Sequence, residues 1–290
     1  MLFGIGDHWE PDVAHDDAQL GIQSGIVGLF TKWGTTQTSP VVHWMDWVRA
    51  RGGAPMIDLI PPTTATDAQI AAGAQDGYLV GWANAMRDWG HPILLRVLPE
   101  MNGNWESYSP WTRGQSPAQY RAAFRHIVTV FRNQGASNVK MVWNPDKPFK
   151  GSVPLAKVWP GAAYVDWTSL DIYNWRDRQH GSWTAWQAVV PAVNAVRAIS
   201  TKPLFFAEIG VAQFAGKGKW IANAVSIAAA HGVKAMVWFD ENLGNGPHWR
   251  VDTSSSSLQA AARAVHQPYV TSAERLTLDA IDNFVANGGF

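Results

Sequence analysis

The sequence contains no cysteine. That absence excludes disulfides, a thiolate nucleophile, iron–sulfur clusters and zinc ribbons, and it leaves the redox compartment undecided. Charge is scarce too: Asp, Glu, Lys and Arg make up 16% of the chain, against roughly 25% in an average soluble protein. The 23 basic and 23 acidic side chains cancel, and there is no long basic run, so neither nucleic acid nor an anionic membrane is expected as a partner. No apolar run reaches the eighteen or so residues of a membrane span. The N-terminus, MLFGIGDHWEPD, has neither a basic leader nor a small-residue cleavage site, so no signal peptide is expected in this chain. Glutamate is rare as well, at six residues.

What is abundant is tryptophan, 17 in 290 residues. One reading is a heavily aromatic core. The other is a set of flat, amphipathic rings for stacking on neutral sugars, since an indole N–H needs a partner when buried. With 47% hydrophobic residues the chain can fill a large core, which excludes global disorder.

Short apolar runs recur near 2–6, 25–32, 54–60, 92–99, 139–144, 167–173, 203–209 and 234–240. Stretches of helical period lie between them, among them 40–51, 76–89, 117–134, 183–199 and 217–231. Ser116 and Pro117 suit an N-cap and first helical position, Gly135 a stop, and the tetraserine at 254–257 the cap of the last barrel helix. Continuous apolar strands alternating with helices predict a parallel sheet covered on its outer face. Eight such units match a single (β/α)₈ TIM barrel over 1–267; an open doubly wound sheet would want a Gly-x-Gly-x-x-Gly loop, which no strand–turn–helix carries. Residues 268–290 are expected to be a short C-terminal extension with one helix at 271–284 and a flexible Asn-Gly-Gly-Phe end.

In such a barrel the chemistry sits at the carboxyl ends of the strands. The carboxylates there are Asp7, Asp58, Glu100, Asp146, Asp171, Glu208, Asp240 and Glu241. Glu100 and Glu208 end the fourth and seventh strands and are expected to face each other across the mouth. Carboxylates about 5–5.5 Å apart suit double displacement at a glycosidic bond, and roughly 6.5–9.5 Å suits inversion. Ordinary ion-pair partners in loops are the alternative reading of the pair.

The local words carry a resemblance. Residues 96–105 read RVLPEMNGNW, 202–210 read KPLFFAEIG and 238–250 read WFDENLGNGPHWR. From the first strand to about residue 265 the chain resembles glycoside hydrolase family 26, the β-mannanase-like branch of clan A. The resemblance implies a retaining mechanism with Glu100 as acid/base and Glu208 as nucleophile. It also implies that the Tyr173 hydroxyl holds the nucleophile, that Trp105 walls the sugar subsite beside the scissile bond, and that Trp249 and Arg250 match a family Trp–Arg pair. Asn102, inside the first word, joins the substrate-binding set. One departure is plain: the family usually has His before the acid/base, and this chain has Pro99, whose side chain offers no polar contact.

The residues support a physical account alongside the resemblance. Strand alternation predicts Arg96, Leu98 and Glu100 on one face. Arg96 is then placed to keep Glu208 ionised, while the Glu208 charge and the apolar wall of Trp105 keep Glu100 protonated. Asp171 points with Tyr173 and reads as a supporting residue. Tryptophans 33, 105, 111, 143, 175, 238 and 249, at or after strand ends, are expected to line one face and be partly exposed; tryptophans 44, 47, 82, 89, 183, 186 and 220 are expected to pack helices on the barrel. Trp33, Trp143, Trp175 and Trp238 therefore join the substrate-binding set.

Nine histidines contain no His-x-His and no His-Glu-x-x-His, so no metal site is expected, although His8 beside Asp7 is placed to reach substrate. Gly216-Lys-Gly-Lys219 lacks phosphate-loop spacing, and no Gly-x-Ser-x-Gly elbow is present. The expectation is a monomeric, cofactor-free hydrolase of internal β-linkages in a neutral polysaccharide. β-1,4-Mannan stands first; mixed-linkage β-glucan, β-1,3-xylan and an unusual cell-wall glycan stand behind it. A binding barrel without catalysis is the competing class. A polymeric substrate implies work outside the cell.

Overall fold

Apolar runs become strands, and the periodic stretches between them helices, in a computed structural model that describes every residue except 7–9, 33–37, 113, 178–181, 243, 245 and 290. In chain order the elements are β1 (Leu2–Gly6), α1 (Glu10–Leu20), β2 (Ile26–Lys32), α2 (Ser39–Ala50), β3 (Ala54–Ile60), α3 (Asp67–Ala71), α4 (Asp76–Trp89) and β4 (Ile93–Val97). They continue with α5 (Pro117–Asn133), β5 (Val139–Trp143), α6 (Leu155–Val158), β6 (Trp167–Asn174), α7 (Ala185–Arg197), β7 (Leu204–Val211), α8 (Lys217–Ala230), β8 (Ala235–Phe239), α9 (Ser255–Val265) and α10 (Leu278–Asn287). The eight strands pair in sequence order, all parallel, and β8 closes on β1. This is the TIM barrel that the sequence predicts. The helix starts are capped as expected: Ser116 accepts from the Gln119 N–H at 3.2 Å, and Ser254 from that of Ser257 at 3.2 Å.

Alternation along the strands sorts the side chains into two cores. Ile93, Leu95 and Val97 face the helices, whereas Leu94 turns inward with Leu2, Ile26, Ala54, Met56, Val142, Phe205 and Val237. The inward cluster lies at the amino ends of the strands, where α10 presses Ile281, Phe284 and Val285 onto it. Trp167 donates its indole N–H to the Val285 carbonyl at 2.8 Å. The extension helix thus starts at Leu278, later than the predicted 271, because a 3₁₀ turn at Ala273–Arg275 comes first and Thr277 caps α10. Among the described residues this apolar layer fills one end of the barrel, and the polar inward residues Arg96, Asp171 and Glu208 lie above it.

Two irregularities aim side chains at that open end. Leu170 of β6 pairs with Phe206 of β7, but Asp171 pairs with Glu208, so Ala207 is an extra residue. Ala207 belongs to the inward core while Phe206 and Ile209 face the helices. The bulge therefore lets Ala207 and Glu208 both face inward. At the end of β4, Leu98 and Glu100 adopt φ of 51° and 55°, a left-handed conformation costing about 1–3 kcal/mol at each non-glycine residue. Leu98 consequently packs among the helix-facing residues. The predicted common face for Arg96, Leu98 and Glu100 is corrected here: Leu98 leaves it, because the strand ends at Val97.

Candidate active site

Arg96 is the centre of the barrel mouth. Fully buried, it forms ion pairs with three carboxylates: Asp171 at 2.6 Å, Glu208 at 2.8 Å and Asp58 at 3.0 Å. A buried guanidinium is tolerable only with such partners. Asp171 also accepts from the Asn144 amide at 2.6 Å, and so it supports Arg96 as the sequence suggested.

Glu208 has donors on both oxygens. One faces Arg96, and the other accepts from the Tyr173 hydroxyl. Burial and the Glu208 charge push the Tyr173 phenol up, so it keeps its proton and donates. Tyr173 is braced from behind by the fully buried Trp249 ring, 4.8 Å away centroid to centroid. Gly210 permits this approach, since a Cβ there would meet the Trp249 ring at 3.0 Å and that of Tyr173 at 3.3 Å. The Trp249 segment is itself held by Lys217, buried at the start of α8, whose ammonium donates to the carbonyls of His248, Trp249 and Arg250 at 3.0, 3.1 and 2.7 Å. Burial lowers the Lys217 pKa to about 8.

Glu100 stands in the opposite setting. Burial, and then the charges of Asp146 and Glu208, push its carboxyl well above the usual carboxylate range. Trp105 acts with the other sign from the one expected: its indole N–H donates to Glu100 Oε2 at 2.6 Å and favours the anion. Asp146, raised to about 7 chiefly by burial, is the largest charge effect on Glu100, ahead of Glu208. The sequence placed Asp146 at a strand end without giving it that part.

Other predicted binding residues lie elsewhere than expected. Asn102 is fully buried and clamps two loops, donating to the Asp146 carbonyl and accepting from the Asp146 N–H, both at 2.9 Å. Its amide is thereby spent on structure. Trp143 and Trp238 are fully buried among the helix-facing residues, bonding the carbonyls of Val158 and Trp249 at 3.2 and 3.0 Å. Parity shows why: Val142 and Val237 face inward, so the residues after them face out. Trp249 is buried too, beneath Tyr173 and Trp175. Arg250 is engaged by Asp16 at 2.9 Å and Asp252 at 3.1 Å, with Asp240 3.8 Å away. The ligand atoms of His15, Asp16 and Asp252 approach within 4.8 Å of one another, but that guanidinium already takes both carboxylates. Trp105 and Trp111 are exposed and Trp175 half-buried, as the division of tryptophans required. In the second group Trp186 departs, being exposed on α7. Trp33, Asp7 and His8 lie outside the described residues. No helix among the described residues is long and apolar enough to cross a membrane.

Residues 11–251 match the family model described as glycosyl hydrolase family 26. Endoglucanase H of Acetivibrio thermocellus is 37% identical over 257 residues, which is 84% of this chain; the chain spans 28% of the length of that curated relative. Two solved structures share the fold. A family-26 β-mannanase from Bacteroides ovatus superposes with a TM-score of 0.73 at 16% identity, covering 96% of this chain and 92% of that one. A modular endo-β-1,4-mannanase from Cellulomonas fimi gives 0.73 at 19% identity, covering 96% and 73%.

Proposed function

The chain belongs to glycosyl hydrolase family 26, and on that premise we propose that it hydrolyses internal β-linkages of a neutral polysaccharide with retention, Glu208 acting as nucleophile and Glu100 as acid/base. The observation that carries this reading is the contrast between the two carboxyls. Glu208 has a guanidinium and a hydroxyl on its oxygens, whereas burial and negative neighbours push the Glu100 carboxyl up, towards the protonated form an acid needs. In the first step Glu208 bonds to the anomeric carbon while the Glu100 proton passes to the departing glycosidic oxygen. The glycosyl ester removes one negative charge from beside Glu100, which is then a carboxylate and takes a proton from water. That water adds to the anomeric carbon and frees Glu208.

For the substrate, β-glucan moves ahead of β-1,4-mannan. Pro99 leaves the position before the acid/base without a polar side chain, and the curated relative at 37% identity is named an endoglucanase. Secretion follows from a polymeric substrate and belongs to the same proposal, as does a monomeric state. Incubation with purified mixed-linkage glucan, mannan and β-1,3-xylan, reading new reducing ends and the anomer of the first product, tests the reading. Release of β-anomers from glucan supports it. Initial α-anomers overturn retention, and cleavage of mannan alone overturns the glucan assignment.

A further inference from the structure

The loops after β4 and β5 carry three aromatic rings in nearly parallel planes. Phe149 lies 5.9 Å from Trp105 at an interplanar angle of 22°, and 6.1 Å from Trp111 at 15°. The two indoles are 49% and 41% exposed, among the most exposed large apolar side chains described. Two loops do not align rings in this way without being fixed, and buried hydrogen bonds fix them. The Asn102 clamp on Asp146 ties one loop to the other, and the Val153 N–H adds a bond to the Asn102 carbonyl at 2.9 Å. Ser109, buried, bonds the Met101 carbonyl and accepts from the Trp111 N–H at 3.2 Å. Room for the rings is also reserved, since a Cβ on Gly103 would strike Trp105 at 2.4 Å and one on Gly151 would press Trp111 at 3.2 Å.

We propose that Trp105, Phe149 and Trp111 form a preorganised platform for the leaving-group side of a β-linked neutral glycan, with Trp111 and Phe149 holding a sugar beyond the one at the scissile bond. This rests on the reading of Glu100 as the acid. The acid must stand beside the oxygen that leaves, and Trp105 is joined to Glu100 through a 2.6 Å hydrogen bond. The rings that back the nucleophile, Tyr173 and Trp249, form a separate cluster around Phe239. A β-linked pyranose with equatorial hydroxyls shows C–H groups on both faces, which suits broad parallel rings, and the neutral composition of the chain offers no comparable attraction for an acidic polymer. Rings fixed before binding lose little further freedom when sugar arrives.

The test compares Trp111→Ala and Trp111→Phe with the parent protein on glucan and on an aryl oligoglucoside, whose leaving group is one small ring. The ratio of kcat/KM on glucan to that on the aryl substrate is expected to fall about three- to tenfold in Trp111→Ala and to be largely restored in Trp111→Phe. Trp186→Ala, an exposed ring outside these loops, leaves the ratio unchanged. An unchanged ratio in Trp111→Ala overturns the platform. A parent protein that cleaves neither substrate refutes the glucan assignment instead, and one that also leaves mannan and β-1,3-xylan intact refutes the hydrolase reading. The platform is then judged by calorimetric binding of fragments of the three glycans to the unmutated chain and to Trp111→Ala, where equal affinity overturns it.

Discussion

Glu208 within β7 and Glu100 just beyond β4 serve one barrel mouth, yet their surroundings differ in almost every respect. Around Glu208 each layer has a partner behind it: Arg96 between three carboxylates, Tyr173 on the carboxyl, Trp249 on Tyr173, and Lys217 on the Trp249 segment. Around Glu100 the neighbours are Asp146, Glu208 and one indole N–H, at the edge of an exposed aromatic shelf. A carboxyl that must attack benefits from fixed donors that hold its lone pairs in line. One that must give a proton and take it back benefits from a setting whose charge changes during the reaction. A single fold supplies both because a closed barrel puts different loops around each strand end.

Removing the acid should break the comparison most severely. Glu100→Gln is expected to lose ~10²–10⁴ in kcat on substrates with poor leaving groups and far less on an aryl glycoside; equal losses on both would take Glu100 out of that part. On the other side, Tyr173→Phe removes a hydrogen bond to a charged group, worth ~1.5–3 kcal/mol, and should lower kcat about tenfold to a hundredfold with little change in the alkaline limb of the pH profile. Asp146→Asn should do the reverse. Asp146 raises the Glu100 carboxyl, so without its charge Glu100 loses its proton at lower pH. The alkaline limb of kcat/KM should then move to lower pH, and a fixed or upward limb would show that Asp146 does not tune the acid. The mildest effect on chemistry is expected from Lys217→Met, which strips three carbonyls of their donor. It should cost ~2–4 kcal/mol of stability, read from denaturant unfolding. The surviving folded fraction should show a lower kcat more than a higher KM, and a Tm unchanged from the parent would contradict the brace.

Much of this was legible in the sequence. Alternating apolar runs and helical periods gave the eight units, the strand-end rule picked out Glu100, Glu208 and Asp171, alternation on the fourth strand added Arg96, and Tyr173 came from the family resemblance. The structure brings the five together. The failures share one physical origin, since side-chain direction depends on where the regular pleat stops. Extending alternation past Val97 misplaced Leu98, and only the pairing of β6 with β7 reveals the Ala207 bulge behind Glu208. Parity within β5 and β8 could have found Trp143 and Trp238 on the outer face, because Val142 and Val237 are their inward neighbours. Asn102 and Arg250 are polar loop residues, and nothing in their spacing tells a sugar contact from a clamp or an ion pair. Phe149 was invisible for another reason: its partners Trp105 and Trp111 come from a different loop.

The central claim is that the carboxyl with a donor on each oxygen is the one that bonds to sugar. Trapping with a 2-deoxy-2-fluoro glycoside bearing a good leaving group, followed by peptide mapping, reads this directly. The account predicts a single glycosyl adduct on Glu208, absent from Glu208→Ala, and an adduct on Glu100, Asp146 or Asp171 would contradict it.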